Sequence, residues 1–252
     1  MLPGKPGLNL TQQIAHYLGA SIISGHYGDH NPIPSEAVLC EQLDVSRAAA
    51  REAVKSLAAK GLLSSRARQG IRVLPEQEWN LFDADVLTWI RESNPSLELL
   101  RELAQLRVAI EPEAALLATE KQDIEKIEKI GFWLDRMSKA ESGLDDPLES
   151  DIAFHLAILD ASGNRFFRQF GRIIDTTLRV SIRFSGRRVD YSTPVHEEHQ
   201  RVYDAIVANK PMQAKQAATD LMTDTIVVID EALKKGKEQE AAAAQNDVEQ
   251  EL

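Results

Sequence analysis

Two sets of side chains in this sequence have types and spacings that could do chemistry. Arg47 and Arg51 stand four residues apart in DVSRAAAREA, so a helix would place both guanidinium groups on one face. Asp151 and His155 stand four residues apart in DIAFH, and His199 follows in a later segment. Paired guanidinium groups suit phosphates and the edges of bases, whereas carboxylate and imidazole groups suit a divalent cation.

Each set also has an ordinary structural interpretation. Most arginines on the surface of a helix are only solvated. A carboxylate and an imidazole one helical turn apart often form a hydrogen-bonded pair on the surface. Spacing alone therefore leaves both DNA binding and metal binding open, and the surrounding elements have to decide.

Composition sets the broad class of protein. The chain has 252 residues, enough for two domains, and its 43% hydrophobic and 27% charged content is typical of a globular protein. The single cysteine, Cys40, excludes an internal disulfide and suits a reducing compartment. No apolar run approaches the roughly 20 residues that a membrane span needs, so we expect a cytoplasmic protein.

The charge is unevenly distributed along an acidic chain of formal net charge -10. Residues 1–75 hold eight Lys/Arg and five Asp/Glu, a formal charge of +3, which leaves -13 for residues 76–252. A small basic block joined to a larger acidic one indicates two functions on one chain. The acidic total therefore does not exclude binding to a polyanion, because the local field matters at a contact.

The basic block has the pattern of a winged helix-turn-helix over residues 9–75. Helices are predicted over 9–24, 35–43 and 47–60, with Ser35 and Ser46 as caps of the last two. Two short strand-like runs follow, joined by the basic segment SRARQG, which predicts a hairpin or wing. Such a unit places its third helix in the major groove and its wing along the backbone of DNA.

The acidic block reads as helical from about residue 99 to 234, with breaks near Gly143, Gly163 and Gly186. Strand signals are nearly absent there, so we predict a mainly α protein whose second domain is a helical bundle. Residues 76–98 are predicted to be a linker. Residues 235–252 lack an apolar face and are predicted to be a frayed helix or a disordered tail.

The basic block resembles the winged helix-turn-helix of GntR-type bacterial regulators over roughly residues 10–74. The matching positions are Pro34, Ser35, Glu36, Leu39, Leu43, Val45, Ser46, Arg47, Arg51, Glu52, Ala53, Leu57, Gly61, Leu62, Leu63, Gly70 and Val73. The resemblance implies operator contacts by the third helix and the wing. The predicted DNA-binding residues are Ser35, Ser46, Arg47, Arg51, Lys55, Arg66, Arg68, Gln69 and Gly70.

The helical block resembles the ligand-sensing FCD domain of the FadR branch of this family. The matching segments are RVAIEPEAALLA, DIAFHLAILDASGN and EEHQRVYDAIVANKPMQAKQAA. Many members hold a divalent metal such as zinc through one Asp and three His. Asp151, His155 and His199 match three of those positions, and Leu221 stands at the fourth.

The same resemblance implies an effector site in the bundle. Arg107 stands where members often grip the effector's carboxylate, although an ion pair with Glu111 or Glu113 is an equal alternative. Residues 79–89 resemble the linker of galactonate-type sugar-acid repressors, which makes a sugar acid the expected effector class. The predicted effector contacts are Arg107, Asp151, His155, Asn164, Arg179, Arg183 and His199.

These observations predict a homodimeric, sequence-specific DNA-binding transcription regulator, a repressor released by a small carboxylate, with double-stranded operator DNA as its partner. Two alternatives stay open. One is a metal-assisted enzyme that uses the Asp/His cluster, although the sequence shows neither a phosphate loop nor a Ser/His/Asp grouping. The other is a dimeric DNA-binding scaffold without a ligand.

Overall fold

The structure is a computed structural model that describes residues 6–66, 70–93, 95–185 and 195–250, with side chains described up to residue 236 except at 182–185 and 195. The chain forms two compact units, Met1–Pro95 and Ser96–Leu252. Where the structure describes it, the first unit contains four α-helices, one hairpin and a short 3-10 helix (Glu76–Glu78). The α-helices and strands are α1 (Leu10–Ile23), α2 (Glu36–Leu43), α3 (Arg47–Ala59), β1 (Leu63–Arg66), β2 (Gly70–Val73) and α4 (Ala84–Glu92).

Side-chain caps fix the helix-turn-helix. The hydroxyl of Ser35 accepts from the backbone N–H of Val38 at the start of α2, and the hydroxyl of Ser46 does the same for Ala49 at the start of α3. Between the two helices Asp44 adopts a left-handed conformation with φ 52° and ψ 53°. The two predicted helices, 35–43 and 47–60, are therefore confirmed with ends that differ by no more than one residue.

The wing is a two-stranded antiparallel hairpin. Leu63 lies opposite Val73 and Arg66 lies opposite Gly70, so the two strands are fully paired from end to end. Gly70 has φ +76°, a conformation that favours glycine over any residue with a side chain. Leu63 is 1% exposed and anchors the hairpin in the core of the first unit. Helix α3 contacts β1, and its Leu57, at 0% exposure, lies in the same core.

The predicted linker differs from the structure, because most of it belongs to the first unit. Asp83 caps α4, and its carboxylate also holds the ammonium of Lys60, the C-cap of α3, at 2.8 Å. Trp89 is 2% exposed, donates its indole N–H to Nδ1 of His16 at 2.9 Å and leaves no room for a side chain at Gly19. Helix α4 thus packs on α1 as a fourth helix of this unit.

The second unit is a bundle of seven helices in the part of the chain that the structure describes: α5 (Leu97–Lys121), α6 (Ile124–Glu141), α7 (Pro147–Ala161), α8 (Arg165–Gln169), α9 (Gly171–Ser185), α10 (Val195–Val207) and α11 (Pro211–Gln250). The sequence predicts one helix over 164–185, whereas the structure divides it at Phe170, which caps α8. The main core draws buried side chains from α5, α6, α7, α9, α10 and α11.

Of the two predictions for the tail, the helix agrees with the structure over residues 235–250 and disorder does not, since α11 continues to Gln250. The segment is rich in Ala, Glu, Lys and Gln, which are strong helix formers, and contains neither proline nor a β-branched run. An apolar face is needed for packing but not for helix formation, so the lack of one does not exclude a helix here. Among the described residues, no helix is long and apolar enough to cross a membrane.

Candidate nucleic-acid interface and metal centre

The third helix presents a small, cationic outer face. Arg47, Ala48 and Arg51 are exposed, while Ala50 and Leu57 on the opposite side are fully buried in the core of the first unit. The two guanidinium groups lie one turn apart with alanines between them, so a flat partner could approach the helix closely. This is the arrangement expected of a helix that enters the major groove.

The ion pairs separate the cations of the first unit into two groups. Lys55 is bound to Glu52 at 2.6 Å, and Lys60 is bound to Asp83 at 2.8 Å. Within the described residues, the cations before residue 76 that have no acidic partner are Arg47, Arg51, Arg66 and Arg72. The unpaired arginines are the ones free to contact phosphate or base edges, whereas the predicted contact of Lys55 would first have to break its pair with Glu52.

The remaining predicted DNA contacts are placed as follows. Ser35 and Ser46 are occupied as helix caps, although a capping hydroxyl still carries a hydrogen that can be donated to a phosphate. Gly70 is exposed at the start of β2. Arg68 and Gln69, at the tip of the wing, lie outside the described residues.

In the second unit the structure brings Asp151, His155 and His199 together. Asp151 Oδ1 lies 3.1 Å from His155 Nε2 and 3.2 Å from His199 Nε2, and the two Nε2 atoms are 3.3 Å apart. Metal–ligand bonds of about 2.0–2.2 Å place neighbouring ligands roughly 2.8–3.6 Å apart. The three atoms thus form the triangle expected of three ligands around one ion.

The surroundings of this triangle fit a cation. Asp151 Oδ1 is buried beside the two imidazole Nε2 atoms and forms no hydrogen bond of good geometry within the described residues, so its negative charge needs a protonated imidazole or a cation as partner. His155 and His199 are 3% and 2% exposed, and Phe154 packs its ring edge-on against both imidazoles. The donor set of one carboxylate and two imidazoles suits zinc or a similar divalent ion.

Glu111 contacts His155 on the side of the imidazole that faces away from the triangle. The sequence interpretation missed this contact. Its Oε2 lies 2.6 Å from Nδ1 of His155, and its Oε1 accepts from Nε of Arg107 at 2.5 Å. When a metal replaces the proton on Nε2, a carboxylate at Nδ1 keeps the other proton there and aims the lone pair of Nε2 at the ion. The i, i+4 spacing from Arg107 was visible in the sequence, but the approach of α7 to α5 was not.

Electrostatics in the cluster favour a positive centre. Burial raises the pKa of Glu111, but Arg107 and His155 outweigh it and hold that pKa at about 2. Burial also raises the pKa of Asp151, yet the two imidazoles hold it well below its ordinary value. Burial lowers the pKa of His155, whereas Glu111 and Asp151 raise it to about 9. The raised pKa of His155 means that its protonated imidazole balances the charge of Asp151, and a divalent cation bound here would take the place of that proton.

The fourth ligand position of the resemblance remains apolar. Leu221 lies on α11, partly buried against the main core, and lines an open groove of about 260 Å³ between α10 and α11. Asp220 and Asp224 line the same groove and are exposed. Among the described residues, the cluster of potential ligands contains only Asp151, His155 and His199. Three protein ligands would leave a metal with open positions.

The other predicted effector contacts are engaged elsewhere or lie outside the described part. Asn164 accepts from the backbone N–H groups of Phe166 and Phe167 and caps α8. Arg179 forms a bidentate pair with Glu149 and a further bond to Asp175. Both have complete structural roles, so their contact with an effector stays a prediction. The side chain of Arg183 lies outside the described residues.

Comparisons with known proteins agree with both units. The family model for bacterial regulatory proteins of the gntR family matches residues 10–73, and the model for the FCD domain matches residues 102–224. The chain is 30% identical over 219 residues to the galactonate operon transcriptional repressor of Escherichia coli strain K12, covering 86% of this chain and 96% of that protein. It is also 30% identical over 216 residues to the HTH-type regulator YieP of the same strain, covering 85% and 93%.

A solved structure shares the fold. The structure of Lar, which controls the expression of the Listeria monocytogenes agr system, has a TM-score of 0.53 and 16% identity and covers 90% of this chain and 99% of its own. At that identity the likeness concerns the fold alone. The helix-turn-helix with free arginines, the helical bundle and the two sequence relatives lead to one assignment. The chain belongs to the GntR family, in the branch that carries an FCD domain, and is a DNA-binding transcription regulator rather than an enzyme.

Proposed function

We propose that this protein is a homodimeric repressor that a small carboxylate, of the sugar-acid class, releases from its operator. The observation that carries the proposal is the buried chain of contacts from Arg107 through Glu111 to the Asp151, His155 and His199 cluster. It combines a guanidinium with three potential metal ligands inside a domain that senses ligands in this family. Operator DNA is in the bacterial cytoplasm, where the protein would act.

The two interpretations of Arg107 are compatible in this geometry. Within the described residues the guanidinium is held by Glu111 alone, through Nε. Its two Nη groups can therefore grip a carboxylate while Nε stays on Glu111. Glu111 would then orient Arg107 for the effector rather than compete with it.

Asp151, His155 and His199 would hold a divalent metal beside this guanidinium. Such an ion, when bound, supplies a Lewis-acidic centre that attracts carboxylate and hydroxyl oxygens. Because Leu221 contributes no ligand, the open positions would be filled by water or by the effector. A hydroxyl next to a carboxylate, as in an aldonate, matches a site that presents a cation and a guanidinium together.

The sugar-acid class is supported by the relative named as the galactonate operon transcriptional repressor. Release from DNA requires the effector to bind one arrangement of the dimer more tightly than the other, by a coupling of about 1–3 kcal/mol. Two copies of the first unit would read two half-sites of a near-palindromic operator.

A thermal-shift screen tests the proposal. The full chain, loaded with zinc, is heated with galactonate, gluconate, galacturonate, glucuronate or the neutral alcohol galactitol. At least one acid should raise the melting temperature while galactitol does not, since a bound ligand stabilises the folded state. Arg107→Met should lose this response and keep its affinity for DNA. A protein that no carboxylate stabilises would be a DNA-binding scaffold, and the sensing proposal would be wrong.

A further inference from the structure

The wing carries a basic face that extends beyond its tip. In the antiparallel register, Ser64 lies opposite Arg72 and Arg66 lies opposite Gly70. Residues that face each other across two antiparallel strands, and those two positions further along, point to the same side of the hairpin. Ser64, Arg66 and Arg72 therefore share one side, whereas Leu63 and Val73 share the other.

The two sides of the hairpin face different surroundings. Leu63 is 1% exposed and anchors its side in the core of the first unit. Arg66 and Arg72 are exposed on the opposite side. Each arginine stands across from a small residue, Gly70 or Ser64, so neither guanidinium is covered by a cross-strand neighbour.

The charge on this side is uncompensated. The segment from Gly61 to Pro75 contains three arginines and no acidic residue. Arg66 and Arg72 have no ion-pair partner among the described residues, in contrast to Lys55 and Lys60. Arg66 and Arg72 are diagonal neighbours, whose Cβ atoms are typically about 7–8 Å apart or slightly less, and like charges at such positions repel. A polyanion on this side would remove that repulsion.

We propose that Arg72 is a DNA contact of the second wing strand and acts with Arg66 on the sugar-phosphate backbone. A DNA duplex carries one negative charge per about 1.7 Å of axis, so one face with two guanidinium groups can meet two phosphates. The contact positions the wing and does not read sequence. It extends the DNA surface from the wing tip to the face of the hairpin, at a residue that the family resemblance did not single out.

The test measures the salt dependence of DNA binding by the full-length chain. One probe is a fluorescent duplex selected for tight binding from a random pool, and the other is an unrelated duplex of equal length. Dissociation constants are measured between 50 and 200 mM KCl for the wild type, Arg72→Gln, Arg72→Lys and Arg66→Gln. The matched control is Lys129→Gln, which removes one exposed charge from α6 in the second unit.

Arg72→Gln should weaken binding to both duplexes by the same factor, on the order of three- to tenfold near 0.1 M salt, and should reduce the salt slope by about 0.9. Arg72→Lys should restore most of the slope, because it keeps the charge. The proposal is overturned if Arg72→Gln behaves like Lys129→Gln. It is also overturned if only the selected duplex loses affinity and the slope is unchanged, since Arg72 would then contact a base.

Discussion

The cationic side chains of α3 differ in whether an acidic side chain pairs with them. Arg51 and Lys55 lie one turn apart on the same helix, yet only Lys55 is held by Glu52, at 2.6 Å. An ammonium that contacts DNA has to leave such a partner first. The pair is exposed, with 58% exposure on both sides, so its own stabilisation is small.

We therefore predict that Arg51→Ala weakens specific operator binding more than Lys55→Ala does. Loss of a base contact typically costs about 1–3 kcal/mol, or roughly 5- to 150-fold in affinity, whereas loss of an already paired cation should cost less. Fluorescence anisotropy with a selected operator duplex measures both variants. Equal losses in the two variants would show that the pair with Glu52 does not persist on DNA.

Glu111 is the side chain whose role depends most on three-dimensional contacts. If it orients His155 as a metal ligand, Glu111→Gln should weaken zinc affinity by about 10- to 100-fold, the usual effect of removing a carboxylate behind a ligating imidazole. Titration against a competing chelator measures this affinity, and elemental analysis gives the stoichiometry.

A control for this variant lies two residues further on. Glu113→Gln removes a carboxylate from the same helix, where it pairs with Lys215 at 2.6 Å, about 40% exposed on both sides. Zinc affinity should be unchanged in Glu113→Gln. Similar losses in both variants would mean that charge in general, and not the hydrogen bond to His155, controls the affinity.

Sequence reasoning predicted the three residues of the Asp151, His155 and His199 cluster but not Glu111, which contacts His155. Asp151 and His155 are one turn apart, which the sequence displays, and the family resemblance supported the grouping of His199 with them. The contact of His155 with Glu111 depends on how α7 packs against α5, and no local pattern encodes that distance. Arg72 is a similar case, since its side of the wing follows from the strand register.

Among the elements, α4 differs most from its prediction. Its sequence, ADVLTWIRE, lies between polar segments, which is why it reads as a linker. Its apolar side, with Val86 and Ile90 at 0% and 1% exposure, is buried in the first unit. The elements with strong caps and breaks agree with their predictions. Helices are predicted over 47–60 and 147–161, and α3 and α7 match them to within one residue because Ser46 and Pro147 mark their starts. The placement of α4 depends instead on how its apolar side packs in the first unit.

The contact of α4 with α1 can be tested at Gly19. A Cβ added there would lie 2.5 Å from the ring of Trp89, so Gly19→Ala should destabilise the unit by about 1–3 kcal/mol. The sign is informative, because alanine in a helix is otherwise favoured over glycine by roughly 1 kcal/mol. Hydrogen exchange of α1 and α4 in the full chain should increase.

Gly28→Ala is the matched control for Gly19→Ala. A Cβ there would meet nothing within 4 Å, and Gly28→Ala should leave exchange in α1 and α4 as it is in the wild type. If Gly19→Ala instead slows exchange, α4 does not rest on α1, and residues 76–93 behave as a linker after all.

At the level of the molecule, the two units differ in charge and in how their charged side chains are paired. The first unit leaves four described arginines unpaired for DNA, and the second unit holds the buried Glu111 and the partly buried Asp151 near one buried guanidinium. An acidic total charge and a basic DNA surface are therefore compatible. It follows that a cation should act on the second unit and leave the first unchanged.

This difference predicts how chelation changes unfolding. Metal bound only by the folded state stabilises it by about 2.7 kcal/mol when free metal is 100 times its dissociation constant. In calorimetry of the full chain, EDTA should lower the transition of α5–α11 and leave that of α1–α4 in place, with hydrogen exchange assigning each transition to its unit. His199→Ala should melt without any response to EDTA, since one of the three ligands is gone. A transition of the bundle that EDTA does not move in the zinc-loaded wild type would refute a stabilising ion, and the buried charge of Asp151 would then have to be balanced by a protonated imidazole.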